Sequence, residues 1–289
     1  MEGILFALVP MFAWGSIGFV SNKIGGTANQ QTFGMTIGSL FFGIVVYLIA
    51  KPELSIQLWV FGIIGGILWS LGQNRQFTAM KHMGVSVANP LSSGSQLVFG
   101  SLIGAFIFHE WTTSVHFSLG GLALLFLVIG FYFLSKVDPS RKEKESKLTN
   151  FNKGFIALAF STFGYLSYAI LFNNIMAFDV LSVILPMAVG MIIGSSLFMK
   201  FQLDFSPLVL KNSLVGFMWG FGNLFMLLAA SSAGLAIAFS FSQLGAIISI
   251  IGGIVFLGEK KTKKEMKWVL IGIFCFLVGA TLLGIVKSY

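Results

Sequence analysis

The sequence predicts an all-α integral membrane protein with ten transmembrane helices, arranged as two inverted five-helix repeats. Three observations lead to this prediction. Of the 289 residues, 56% are hydrophobic and only 10% are charged, against roughly a quarter charged in an ordinary soluble domain. The apolar residues gather into ten stretches, and the second half of the chain repeats features of the first. This composition excludes a disordered chain and disfavours a soluble globular one.

Each of the ten stretches is close to the roughly 20 residues that a helix needs to cross a bilayer. They are Gly3–Val20, Thr32–Ala50, Trp59–Met80, Val85–Phe108, Phe117–Leu134, Phe155–Phe172, Val180–Met199, Leu208–Ala230, Gly234–Leu257 and Trp268–Val286. Residues 212–258 contain no charged side chain and are too long for one crossing. We therefore expect two spans there, with a turn at Ser231–Gly234.

One long polar segment divides the chain. Residues 136–153 are rich in lysine and glutamate and contain Asp138-Pro139. We expect a first five-helix repeat over residues 1–135, a basic cytoplasmic linker over 136–153, and a second five-helix repeat over 154–289. Neither side of this linker offers an extramembrane domain large enough to fold alone.

Matched residues recur at a spacing close to 150 positions. Trp69 and Gly72 correspond to Trp219 and Gly222, and Gln73 corresponds to Asn223. The other matches pair Gly3, Phe12, Ser16, Asn22 and Ile24 with Gly154, Phe163, Ser167, Asn173 and Ile175, Trp14 with Tyr165, and Glu110 with Glu259. Because five spans is an odd number, the second copy must enter the membrane from the opposite side. Many secondary transporters are built in this way; a duplicated bundle without transport is the alternative.

The basic residues predict the orientation in the membrane. One set of loops and helix ends holds 15 of the 18 Lys and Arg residues, and the other set holds only Lys51 and Lys287. Since cytoplasmic loops carry the excess of Lys and Arg, we expect a cytoplasmic linker and both termini outside. The net charge of +8 could suggest that the protein binds nucleic acid. However, the Lys and Arg residues lie in short runs between apolar stretches, so we expect a lipid bilayer and no nucleic acid as partner.

The residues that catalysis or metal binding would need are sparse. The three His residues lie at or near span ends, the ten Asp and Glu residues fall in loops or at helix ends, and Cys275 is the single cysteine. A carboxylate- or metal-dependent enzyme is therefore improbable, and we expect no catalytic residue, no metal and no cofactor.

Neutral polar and aromatic residues inside the spans give the better signal. Amides are costly in hydrocarbon, so they should face the interior of the bundle. They offer both donors and acceptors, and Trp supplies flat faces, a combination that suits a neutral polyhydroxylated substrate. The predicted substrate-binding residues are Trp14, Ser16, Trp69, Gln73, Asn74, Asn89, Gln96, Trp219, Asn223 and Gln243. The alternative is that these side chains bond one helix to another.

Two further residues are predicted to have gating or structural roles. Arg75 lies about one turn from the cytoplasmic end of its span, where its side chain can reach the interface or, alternatively, a cavity. Pro90 follows Asn89 in the fourth span and removes a backbone donor, so a hinge or an opened carbonyl is expected there.

Four sequence motifs are distinctive: GGILWSLGQNRQF at 65–77, GVSVANP at 84–90 with Gln96-Leu97, PMFAWGS at 10–16 and GEKK at 258–261. In these motifs the sequence resembles the bacterial glucose/ribose uptake family of the drug/metabolite transporter superfamily. The resemblance covers essentially the whole chain. It implies an inverted five-plus-five helical bundle in the bacterial plasma membrane and uptake of a monosaccharide, glucose being the usual case, by proton symport.

Proton coupling is implied by the resemblance and has no support from a carboxylate in the middle of a span. Glu110, at a helix end on the predicted outer side, is the nearest coupling candidate, because burial there would raise its pKa. A structural role like that expected for Glu259 is the alternative. Two other functions stay open: a drug or metabolite exporter of the same superfamily, and a facilitative sugar carrier without proton coupling.

Overall fold

The computed structural model describes residues 2–136, 138, 150–172, 179–234, 238 and 241–286. Most of the predicted linker over 136–153, and the repeat partners Asn173 and Ile175, lie outside the described residues. Every regular element in the described part of the chain is helical. The helices are α1 (Glu2–Ile24), α2 (Ala28–Ala50), α3 (Ile56–Met83), α4 (Val85–Phe106), α5 (Ser114–Ser135), α6 (Phe151–Ile170), α7 (Val180–Phe198), α8 (Pro207–Lys211), α9 (Ser213–Ala233), α10 (Gly245–Phe256) and α11 (Lys263–Val286).

Seven segments of the described chain are long and apolar enough to cross a membrane. They are α1, α2, α3, α5, residues 181–198 of α7, the continuous run of α8 and α9, and α11. The chain is therefore a multi-pass integral membrane protein. The three other predicted spans fall short for identifiable reasons. Serines and amides lower the hydropathy of α4, hydroxyl groups and Lys153 do so in α6, and the described apolar helix around α10 covers only Phe241–Phe256. The count of ten spans stays a prediction.

Glycines set two of the helix boundaries. Gly84 separates α3 from α4 with φ of 84°, and Gly234 ends α9 with φ of 87°, a region that side chains other than hydrogen rarely enter. Each N–H donates to the carbonyl oxygen four residues earlier, Met80 and Ala230 respectively, at 3.0 Å. The turn expected over Ser231–Gly234 is corrected to Gly234 itself, because α9 stays helical as far as Ala233.

Several of the helix contacts occur in related pairs. Exchanging each helix with its sequence counterpart (α1 with α6, α2 with α7, α3 with α9, α4 with α10, α5 with α11) converts these contacts into one another, whereas the contact of α4 with α5 has no such partner among the described residues. The contact of α1 with α9 becomes that of α6 with α3, α2 with α9 becomes α7 with α3, and α1 with α10 becomes α6 with α4. The contacts of α2 with α7, α4 with α10 and α5 with α11 map onto themselves.

Close backbone approaches follow the same pairing. A Cβ atom at Gly66 of α3 would meet the Met187 carbonyl oxygen of α7, and one at Gly216 of α9 would meet the Met35 carbonyl oxygen of α2. Small residues at these crossings let the helix backbones approach closely, which drives packing in a bilayer where the hydrophobic effect does not.

Candidate functional site

The polar residues of α3 lie on two different faces of that helix. Gln73 and Gln76 are buried and face α6, where the Tyr165 hydroxyl lies 2.8 Å from Gln73 Oε1 and 3.0 Å from Gln76 Oε1. Gln73 Nε2 also donates to Gln76 Oε1 at 3.2 Å. The close approach of α6 makes these bonds possible, because the Tyr165 ring lies against Gly72, where any side chain would collide with it.

Asn89 extends this cluster onto α4. Gln76 Nε2 donates to Asn89 Oδ1 at 3.1 Å. Three helices therefore meet through one hydrogen-bonded group, which we call the amide cluster: Gln73, Gln76, Asn89 and Tyr165. Pro90, next to Asn89, is buried inside a helix that runs without interruption from Val85 to Phe106. The hinge expected at Pro90 is therefore not visible as a break in α4.

An aromatic group borders the amide cluster. The ring centroid of Trp69 lies 5.4 Å from that of Trp219 and 6.2 Å from that of Tyr165. Trp14 of α1 lies against Gly222 of α9, and its Nε1 donates to the Trp219 carbonyl oxygen at 3.4 Å. The structure thus brings together Trp14, Trp69 and Trp219 with the first-half amides, in the interior of the bundle. Flat rings beside amides can bind the C–H face and the hydroxyl groups of a sugar.

Asn74 points away from this group although it follows Gln73 in the chain. Asn74 Nδ2 donates to Asn29 Oδ1 of α2 at 2.9 Å and lies 3.4 Å from Thr32 Oγ1. Asn29 Nδ2 in turn donates to the Phe198 carbonyl oxygen at the end of α7, at 2.9 Å. Successive residues of a helix are rotated by about 100°, so Asn74 meets α2 while Gln73 meets α6. The structure therefore places Asn74 in a contact between helices.

The other predicted binding residues make mostly local bonds. Gln96 Nε2 donates to the Ser92 carbonyl oxygen at 3.1 Å, and Asn223 Nδ2 donates to the Trp219 carbonyl oxygen at 2.8 Å, each within its own helix. Gln243 Nε2 lies 3.3 Å from Ser242 Oγ, and Ser16 is half-buried on α1. None of these bonds joins the amide cluster.

Arg75 is half-buried, with its guanidinium 5.6 Å from the centroid of the Phe198 ring. This cation–π contact is of the kind that arginine makes with aromatic rings. It places Arg75 beside the Asn29–Asn74 pair, where α3 and α7 meet, and gives its side chain a partner on α7.

The two matched glutamates lie just beyond α4 and α10. The Glu110 N–H donates to the Gly104 carbonyl oxygen at 3.0 Å, and the Glu259 N–H donates to the Gly253 carbonyl oxygen at 3.1 Å. Glu259 caps α4, since its Oε1 accepts from the Val85 N–H at 2.5 Å and its Oε2 from the Ser86 N–H at 3.1 Å. Glu110 is exposed, which corrects the expectation that it is buried.

Two surface cavities lie apart from the amide cluster. Their volumes are about 530 and 380 Å³. The first is lined by Ile24, Leu210, Lys211, Ser213, Leu214 and Phe217, and the second by Leu8, Val9, Phe12, Ala13, Met218 and Phe221. Both are open and mostly apolar, as grooves facing lipid would be. Among the described residues, no group of three His, Cys, Asp or Glu side chains could hold a metal ion.

Sequence reasoning did not single out Tyr165 or Asn29. In the sequence, Tyr165 is notable only as the repeat counterpart of Trp14. That match was the available signal, because it predicts an aromatic side chain with a polar end in α6 at the position that Trp14 has in α1. Asn29 lies before the predicted start of the second span, so nothing in its surroundings indicated a buried partner.

Nearly the whole chain is similar to proteins named for sugar transport or sugar uptake. Residues 5–286 match the family described as sugar transport protein. A candidate sugar uptake protein of Streptococcus agalactiae is 68% identical over 289 residues, and one of Streptococcus pyogenes is 67% identical over 288 residues, each covering 100% of both chains. A third, from Lactococcus lactis, is 58% identical and covers 100% of this chain and 99% of its own. Their names describe uptake and not an enzymatic reaction.

One crystal structure of a protein has the same overall fold. It aligns with a TM-score of 0.60 and 15% sequence identity, over 98% of this chain and 99% of that chain. At this identity the similarity concerns the fold alone.

Proposed function

Because the chain belongs to the sugar transport protein family, we propose that it takes up a monosaccharide, glucose being the first choice, across the plasma membrane by alternating access and with proton symport. The observation that carries this proposal is the amide cluster, which borders the Trp69–Trp219 pair. Neutral amides and aromatic faces match a neutral polyhydroxylated ring, and the cluster contains no cation or carboxylate that would select a charged substrate.

The proposal includes ten spans in two inverted repeats, within the drug/metabolite transporter superfamily. The paired helix contacts and the matched glycine crossings support it. In such transporters the substrate site lies near the midplane, between the repeats. Trp69 and Trp219 are counterparts in the two halves and touch each other, which is the position a site between repeats would have.

We assign sugar contact to Trp14, Trp69, Gln73, Asn89 and Trp219. The amides would bond hydroxyl groups, while an indole ring would pack on the C–H face of the sugar. Asn74, Gln96, Asn223 and Gln243 would line or support the pathway, since the bonds they make lie outside the cluster. Ser16, which is half-buried on α1, would line it as well.

Glu110 is the proposed coupling group. It is exposed on what we take to be the outer side, just beyond α4, so a proton from the external medium can reach it. A carrier that uses it would bind a proton there before the sugar site turns toward the cytoplasm. The absence of a carboxylate from the amide cluster instead favours a second candidate, a facilitative carrier of the same sugar.

Uptake of radiolabelled glucose into sealed vesicles, with and without an inward proton gradient, tests both candidates. We expect accumulation above the external concentration only with the gradient. Uptake that equilibrates and ignores the gradient would establish the facilitative carrier, and uptake no greater than in vesicles lacking the protein would refute sugar transport by this chain.

The coupling residue is tested by Glu110→Gln. This variant should still exchange sugar across the membrane and lose gradient-driven accumulation. Glu53→Gln is the matched control, because Glu53 is an exposed carboxylate in the loop that precedes α3. Accumulation that persists in Glu110→Gln would exclude Glu110 as the coupling group.

A further inference from the structure

The two halves of the protein place different chemistry at matched positions. Gln73 and Gln76 of α3 correspond to Asn223 and Met226 of α9, and Tyr165 of α6 corresponds to Trp14 of α1. Where α6 packs on α3, the polar side chains bond to one another. Where α1 packs on α9, the matching contact, Asn223 and Trp14 both donate to a single backbone carbonyl, that of Trp219. The two contacts match in sequence, whereas the bonds between polar side chains are concentrated at the contact of α3 with α6.

The bonds inside the amide cluster use its carbonyl oxygens. Gln73 Oε1 and Gln76 Oε1 both lie within hydrogen-bond distance of the Tyr165 hydroxyl, and Gln76 Oε1 also accepts from Gln73. Asn89 Oδ1 accepts from Gln76. Each amide nitrogen carries a second N–H bond. The groups of the amide cluster that remain available to a ligand are therefore N–H donors.

The position of the Tyr165 side chain is fixed by the contacts of α6 with α3. Its ring lies against Gly72, and Trp69 packs on it edge to face at 6.2 Å. One turn earlier on α6, Ser161 Oγ donates to the Gly72 carbonyl oxygen at 2.7 Å. The hydroxyl is therefore fixed by the packing of α6 on α3 and does not depend on the amides for its position.

We propose that Tyr165 is a positioning residue of the sugar site: its hydroxyl donates to Gln73 Oε1, and the Gln73 amide so oriented donates to Gln76 Oε1. The amides of α3 and α4 therefore present N–H donors and bind sugar hydroxyl oxygens as acceptors. The sugar then lies with its hydroxyl edge toward α3, α4 and α6 and its C–H face toward Trp219. This inference rests on the proposed function, and it specifies the direction of the hydrogen bonds between the same site and its substrate.

Sugar analogues separate a donor site from an acceptor site. A deoxy sugar lacks one hydroxyl group, whereas the matching fluoro sugar carries a fluorine that accepts a hydrogen bond weakly and cannot donate one. We would measure the affinity of the purified full-length protein for D-glucose and for its deoxy and fluoro analogues at each hydroxyl position. At one or more positions the deoxy analogue should bind about tenfold or more weakly, and the fluoro analogue should recover most of that loss.

The outcomes of this comparison are distinct. If every fluoro analogue binds as weakly as its deoxy partner, the site accepts hydrogen bonds from the sugar hydroxyl groups and the inference is wrong. If no deoxy analogue loses affinity, the amide cluster does not read hydroxyl groups and the inference is equally wrong. If D-glucose and every other monosaccharide tested fail to bind, the proposed function itself has failed.

Tyr165→Phe tests the positioning role. Without the hydroxyl group Gln73 Oε1 loses its donor, so the Gln73 amide can turn its oxygen toward the sugar, and the advantage of the fluoro analogue over the deoxy analogue should shrink severalfold. Tyr168→Phe is the matched control, because Tyr168 lies about one turn further along α6 and contacts Tyr165 only through the rings, at 6.2 Å. It should keep the wild-type discrimination, and an unchanged ratio in Tyr165→Phe would overturn the role assigned to that residue.

The orientation of the sugar is tested with a pair of repeat counterparts. Gln73→Ala should weaken sugar binding about tenfold or more, whereas Asn223→Ala should change it less than about threefold, since the Asn223 amide bonds to its own helix. Equal losses of sugar affinity in the two variants would show that both halves bind the hydroxyl groups, which would contradict the proposed orientation.

Discussion

The indole rings of Trp69 and Trp219 lie 5.4 Å apart, with an angle of 60° between their planes, although 150 positions separate the two residues in the chain. The two residues are counterparts in the inverted repeats that we propose, and counterparts touch only close to the axis that would relate the repeats. On that proposal the contact lies at the centre of the bundle. The amide cluster adjoins Trp69, the member of the pair that also contacts Tyr165.

The orientation in the membrane can be tested with two single cysteines. In a Cys275→Ala background, Thr112→Cys should react with an impermeant thiol reagent in intact cells, because its loop is predicted to lie outside. Lys263→Cys should react only after permeabilisation. Both positions are exposed, so neither should be hidden by packing. The opposite labelling pattern would invert the predicted topology.

The glycine crossings should be equally sensitive in the two halves. Gly66→Ala and Gly216→Ala each push a methyl group onto the backbone of a facing helix, and overpacking of this kind costs about 1–3 kcal/mol. Thermal unfolding in detergent should show a similar loss in both variants. Gly121→Ala is the control, because no atom lies within 4 Å of the added carbon. A Gly66→Ala protein as stable as the control would contradict the close approach of α3 to α7.

The Asn29–Asn74 pair should couple α2 to α3. A double-mutant cycle with Asn29→Ala and Asn74→Ala should give an interaction energy of about 0.5–2 kcal/mol, as measured for hydrogen bonds between helices in membranes. The same cycle between Asn29→Ala and Asn223→Ala should give a value near zero, since Asn223 bonds to its own helix. Additive effects of Asn29→Ala and Asn74→Ala would show that the pair contributes no coupling.

The Glu259 cap should stabilise the start of α4. Glu259→Ala leaves the N–H groups of Val85 and Ser86 without their carboxylate, and loss of an N-terminal cap costs about 0.5–2 kcal/mol. Glu259→Gln keeps one acceptor oxygen and should show a smaller loss. Glu53→Ala, at an exposed loop position, should unfold at the wild-type temperature. If Glu259→Ala does so too, the cap has no energetic role.

Acid should weaken the anchor between Asp204 and α2. Asp204 accepts from Gln30 Nε2 at 2.8 Å and from the Ser206 N–H at 2.8 Å, and these bonds hold its pKa below the ordinary value. A carboxylate whose pKa is lower in the folded state stabilises that state above its ordinary pKa, and the contribution disappears as the pH falls through the lowered value. Unfolding temperatures of the wild type and Asp204→Asn should differ at pH 7 and converge as the pH falls below the ordinary pKa of 3.8 and through the lowered one. A difference that is constant with pH would exclude this linkage.

The membrane class could be predicted from the sequence, because it depends on composition and length alone. A run such as 212–258, without a charge, has few stable environments besides a bilayer. The internal repeat, with its match of Trp14 to Tyr165, stays a prediction. The burial of Trp69 and Gln73 inside the bundle followed from the cost of placing polar groups in hydrocarbon.

The sequence by itself determined which side chains are available inside the membrane, and the tertiary structure decided which of them meet. Gln73 and Asn74 are adjacent and chemically alike, yet the turn of the helix directs one to Tyr165 and the other to Asn29. Composition cannot distinguish them, because that choice depends on which helix packs against each face of α3. For the same reason the partners of the Glu259 carboxylate, the N–H groups of Val85 and Ser86, could not be predicted from its place after α10.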